Sequence, residues 1–176
     1  WTDVYLGESN PEKGLKTRSG LIYDLASVSK VLGVGTVLTF LWEQGQLDID
    51  QPVTHFLADC DYPDITIRQL LTHETDLDPF IPNRDQLTAK QLIEAMFHLN
   101  RRPQPAFLYS DVHFLLLGFL LEKIFKQDLD QIIQEQVLNP LGMKETSFGA
   151  VETAVPTVRG VEVGIVHDPK ARLLGK

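Results

Sequence analysis

"DLASVSKVLGVGT", residues 24–36, sets a lysine, Lys30, between small hydroxyl residues and a long apolar run. Lysine is rarely fully buried without a partner, so its place at the mouth of an apolar segment needs a reason. From Val28 to Glu43 there is no proline, and apolar positions run almost all the way round. That pattern predicts a helix buried on most sides, stopped at Gly45. On a helix, positions i and i+3 share a face, with Cβ atoms about 5–6 Å apart. Ser27 and Lys30 have that spacing, whereas Ser29 points elsewhere. Burial disfavours the charged amine and predicts a lowered pKa for Lys30. A neutral amine beside a serine can accept the hydroxyl proton as the serine attacks. Unpaired N–H groups at the helix start lie where an oxyanion would form. The plainer reading is that Ser27 caps the helix and Lys30 snorkels out of its first turn.

Outward from this stretch, the bulk of the chain narrows the choices. It has 176 residues, 43% hydrophobic and 23% charged, which suits one globular domain with a real core. A net charge of -8, with no dense Lys/Arg cluster, argues against a nucleic-acid surface. The single Cys60 excludes an internal disulfide and reads as a plain thiol. The longest apolar run, residues 112–121, is about half of what spans a bilayer, so no transmembrane segment is expected. No signal peptide is visible, and both ends look cut, which leaves localisation and oligomeric state open. No H-E-x-x-H or H-x-H pattern occurs, and no metal site is expected.

Residues 1–7 alternate loosely and predict a strand ending at Gly7, and "LIYDLAS" predicts a second. Between them, "ESNPEKGLKTRSG" reads as a polar turn region. Thr66 to Gln69 and Thr88 to Gln91 are capping boxes. They predict helices from Ile67 to near His73 and from Ala89 to about Asn100. Ser110 or Asp111 caps a helix running to about Lys126, and Asp128 caps one more. After Gly142 the pattern is mixed loop with one candidate strand at 161–166. His73, at a helix end, is expected to favour a positive ring. His113 is expected to be a bonded core residue, and His55 and His98 to be surface or packing residues.

Four segments together resemble the serine beta-lactamase and penicillin-binding protein superfamily, most of all its class C, esterase-like branch. "LASVSKVLGVGTVLTFLWEQGQLDIDQPV" is similar to its nucleophile helix, with the S-x-x-K motif at Ser27 and Lys30. "ITIRQLLTHETDL" is similar to the short helix and loop that follow. "YSDVHFLLLGFLLE" resembles the second motif, and "LNPLGMKETSF" a further landmark. The resemblance implies an α+β fold, a helix-rich lobe beside part of an antiparallel sheet. It implies Ser27 as acyl-accepting nucleophile, Lys30 as its proton partner and Tyr109 as a proton shuttle. It also implies that Asp111 faces the same cleft, where it could orient Lys30 or hold a substrate amide. On the residues alone, Tyr109 reads equally as a core aromatic and Asp111 as a helix cap.

Asp111 stands where the family commonly has Asn, and an ionised carboxylate only accepts hydrogen bonds. Glu74 and Asp76 stand where the family has small residues and Gly. The third motif, Lys-Thr-Gly or His-x-Gly, does not occur in 1–176. The expectation is therefore one incomplete beta-lactamase-like domain over 1–176, with the remaining sheet strands outside it. Its expected reaction is acyl transfer through a covalent acyl-serine on a beta-lactam, peptide or ester, with no cofactor. The rival is a non-catalytic penicillin-binding-like sensor or binding module.

Overall fold

A computed structural model describes residues 2–103, 107–151 and 153–156. The described residues form two units, one of those up to Ala26 and from Ser147 to Pro156, the other of those within Ser27–Thr146.

In the first unit, Asn10 starts a tight turn by accepting the Lys13 N–H on its side chain. Gly14 closes that turn at φ 62, a conformation glycine adopts without steric cost. The turn joins β1 (Glu8–Asn10) to β2 (Leu15–Lys16), antiparallel, with Glu8 opposite Lys16 and Asn10 opposite Leu15. The strand expected at residues 1–7 is thus displaced into the segment read as a turn. Val4 and Leu6 stay exposed, so the alternation there has no face to bury against. The second expected strand reduces to one parallel bridge between Ile22 and Ala154. The candidate strand at 161–166 lies outside the described residues.

The second unit is helical and holds the core. Helical backbone starts at Val28 and passes through a π-helical stretch, Lys30–Gly35, into α1 (Thr36–Glu43). Gly45 follows at φ 67, as the C-terminal stop requires. Both capping boxes form as expected. Thr66 caps α2 (Ile67–Thr72) and Thr88 caps α3 (Ala89–Phe97), each with the reciprocal Gln contact. α3 ends three residues early, at Phe97, because His98 leaves helical geometry at φ -128. Ser110, not Asp111, caps α4 (Asp111–Phe125), by accepting the Val112 N–H at 3.2 Å. α5 (Leu129–Ile133) continues as a second π-helical stretch, Gln134–Leu138.

α4 is the hub. It packs against α2, α5 and the 30–35 stretch, and buries Leu116, Leu117, Leu120 and Leu121 completely. Gly33 permits the close approach of α5, since a Cβ there would lie 2.6 Å from Ile133 Cδ1. The helix after Lys30 is less enclosed than expected. Val31, Phe40 and Trp42 remain exposed among the described residues. They border a groove of about 400 Å³ that Phe114 and Leu71 also line.

Candidate active site

The residue before the candidate nucleophile, Ala26, has φ 44, the left-handed region that costs an L residue about 1–2 kcal/mol. Asp24 Oδ1 helps hold it there by accepting the Ala26 N–H at 2.8 Å. One residue on, the Ser27 carbonyl accepts the Lys30 N–H at 3.1 Å, so the chain coils tightly from Ser27 into the helix. The i, i+3 geometry expected for Ser27 and Lys30 is therefore present. Lys30 Nζ donates to Ser27 Oγ at 3.0 Å.

α4 supplies the opposing side. Ser110 fixes the start of that helix, which places Tyr109 just before it and Asp111 in its first turn. Tyr109 Oη lies 2.9 Å from Ser27 Oγ, across 82 residues of sequence. Asp111 Oδ1 lies 2.7 Å from Lys30 Nζ, and Lys30 Nζ sits 5.4 Å from the centre of the Tyr109 ring. All four residues singled out in the sequence are thus brought together.

The electrostatics differ from expectation. Burial does depress the Lys30 pKa and is the largest single influence. Hydrogen bonds and charge from Asp111 and Tyr109 together outweigh it, so the net shift is upward. The amine is therefore held as an ammonium, not freed as a base. The expectation failed because burial was weighed without the carboxylate that accompanies it. The lysine side chain is 17% exposed and Asp111 42%, so this pair opens to solvent on the carboxylate side.

His73 also departs from expectation. It caps α2 in the left-handed region at φ 59, but it is buried beneath Tyr109 rather than displayed. Burial lowers its pKa, and the Lys30 charge adds to that, with Asp111 opposing. The ring is kept neutral. Desolvation exceeds what the dipole of a single short helix supplies. His113 is the bonded core residue expected, 1% exposed, with its pKa lowered by burial to about 4. No sequence signal couples His73 to His113, which meet across 40 residues. His98 is half exposed and pairs with Asp61 at 2.7 Å. Among the described residues, no group of three His, Cys, Asp or Glu is placed to hold a metal ion. None of the described helices is long and apolar enough to cross a membrane.

The Beta-lactamase family model matches residues 1–175 of this sequence. The chain belongs to that family. Among curated relatives, a "Putative D-alanyl-D-alanine carboxypeptidase" of Escherichia coli (strain K12) is 29% identical over 96% of this chain and 45% of its own length. This member of the family thus spans about half the length of the curated relatives it matches. A solved class C beta-lactamase superposes with a TM-score of 0.70 at 18% identity, over 84% of this chain and 42% of that one. The D-amino acid amidase of Ochrobactrum anthropi gives 0.68 at 20% identity, over 85% and 46%. These likenesses show the fold. The chain carries the helix-rich part of the α+β beta-lactamase/transpeptidase fold.

Proposed function

We propose that this chain carries the nucleophile portion of a serine hydrolase that transfers acyl groups from beta-lactam, peptide or ester substrates to Ser27. One observation carries the reading. Ser27 Oγ sits 3.0 Å from the Lys30 amine and 2.9 Å from the Tyr109 phenol, on segments distant in sequence.

The chemistry follows from the proton positions. Lys30 as ammonium donates to Ser27 and to Asp111. Attack requires the Ser27 proton to leave, so one neighbour must first become an acceptor. Lys30 can do so by passing a proton towards Asp111, 2.7 Å away. Tyr109, 2.9 Å from Ser27 Oγ, can do so once its own proton has left. Ser27 Oγ then bonds to the acyl carbon while the carbonyl electrons move onto oxygen. The leaving group departs with a proton returned by the same pair. Water repeats the sequence to release the acid and regenerate Ser27. Asp111, by this reading, orients and charges Lys30 and borders the substrate.

A second reading, a penicillin-binding-like module whose ester is released slowly, rests on the Asp111 carboxylate 2.7 Å from Lys30, which holds the amine as an ammonium. The test is to treat the intact protein with a fluorophosphonate and with a beta-lactam, map the adduct by peptide mass, and follow its release. We expect the adduct on Ser27 and none in Ser27→Ala. An adduct on Ser29 or Ser110 overturns the assignment. Turnover beyond one equivalent selects the hydrolase, and a stable single-turnover adduct selects the binding module.

A further inference from the structure

Two buried histidines face each other behind Tyr109. His73 Nδ1 and His113 Nδ1 are 2.9 Å apart, and His113 Nε2 lies 2.8 Å from Thr75 Oγ1. The three residues are 8%, 1% and 5% exposed in the order His73, His113, Thr75. The Ser110 N–H donates to His73 Nδ1 at 3.3 Å, and the Leu108 N–H donates to the His73 carbonyl at 3.0 Å. His73 therefore grips the chain on both sides of Tyr109. Its ring centre also lies 4.8 Å from that of Tyr109.

A proton inventory fixes the tautomers. A contact between two ring nitrogens holds one proton, so one ring donates and the other accepts. The Ser110 N–H already points at His73 Nδ1, which makes that nitrogen the acceptor. His113 Nδ1 carries the shared proton. Its Nε2 is then bare and accepts from the Thr75 hydroxyl, whose oxygen in turn accepts the Leu77 N–H at 3.3 Å. His73 keeps its own proton on Nε2. Along the chain of contacts from Leu77 to Ser110, the single lone pair of His73 Nδ1 is shared between the His113 N–H at 2.9 Å and the Ser110 N–H at 3.3 Å.

We propose that His73 and His113 are positioning residues, a neutral pair sharing one proton between their Nδ1 atoms that holds the Phe107–Ser110 segment so that Tyr109 meets Ser27. This rests on the acyl-transfer reading above for what Tyr109 does there. A second proton on His73 Nδ1 would set it against two donors. A second proton on His113 Nε2 would force the Thr75 hydroxyl to turn. Burial keeps both rings neutral, and the charges near His73, Lys30 and Asp111, act in opposite directions.

The test uses the intact protein with labelled histidine nitrogens and two variants. We expect 15N spectra at neutral pH to show His113 protonated on Nδ1 and His73 on Nε2. His113→Leu removes the donor, whereas His113→Asn keeps an N–H near the place of Nδ1. In His113→Leu we expect acylation of Ser27 to slow roughly 10–100-fold with KM within about twofold, the scale of a small misplacement of a reacting group. Amide exchange at Leu108 and Ser110 should quicken in the same variant. His113→Asn should recover most of both. The proposal falls if His113 carries its proton on Nε2. It falls equally if a folded His113→Leu protein acylates at the unaltered rate, or if His113→Asn is as impaired as His113→Leu. Should the unaltered protein leave Ser27 unlabelled, the acyl-transfer reading fails, and tautomers and amide exchange alone decide on the pair.

Discussion

Asp111 is the residue through which charge enters the site. It lies 2.7 Å from Lys30 and is the main reason the amine stays protonated despite partial burial. Asp111→Asn removes that charge but leaves the Ser110 cap intact. We expect the Lys30 pKa to fall and the acid limb of the acylation rate to move to lower pH. Stability should change by less than about 1 kcal/mol, the scale of one charge at a helix start. A pH–rate profile checks the first and urea unfolding the second; an unmoved limb would remove Lys30 from the proton path. Lys30→Arg tests the same path from the other side, because arginine keeps the charge but does not give up its proton. We expect a loss of roughly 10²–10⁴-fold in acylation, the range for a general base. Ser27 and Lys30 were legible because helical spacing alone pairs them. Tyr109 and Asp111 needed the resemblance, since no local rule links residue 109 to residue 27. The sign of the Lys30 shift was not legible, because it depends on a carboxylate brought from another helix.

The elements show where local rules suffice. Thr66 and Thr88 each satisfy a capping box with contacts made within four residues, so sequence alone located both helix starts. Thr88→Ala should cost about 1 kcal/mol in unfolding and leave Ser27 reactivity unchanged. The wider turn of Lys30–Gly35 was not legible, because apolar residues on all sides do not separate an α from a π register. That stretch sets the phase between the Ser27 and Lys30 face and α1. Inserting one alanine between Gly35 and Thr36 would add about 100° of turn and swing the site relative to α1. We expect such an insertion to keep its helix content by circular dichroism and lose Ser27 labelling; retained labelling would show that the phase is immaterial.

For the molecule as a whole, the histidines set a pH window. His113 has a pKa of about 4 when folded against 6.5 ordinarily. Unfolded chains thus bind a proton that the folded chain refuses as pH falls below 6.5. Stability is full above 6.5 and declines towards pH 4, by about 3 kcal/mol. His73, also lowered, acts in the same direction. His98, raised by Asp61, acts oppositely, lending stability below 6.5 that is lost as pH rises through its folded value. Urea midpoints at pH 7, 5.5 and 4 check the sum, and His113→Asn should flatten the slope. A separate consequence concerns time. The Ser27–Tyr109 contact closes a loop of 82 residues, whereas the helices form from neighbours. Helices assemble in about a microsecond, and long-range closures come later and more slowly. Ser27 should therefore become reactive only at the end of refolding. A fluorophosphonate pulse applied during refolding would capture little protein while helicity is already high, making Ser27 labelling a clock for the last step of assembly.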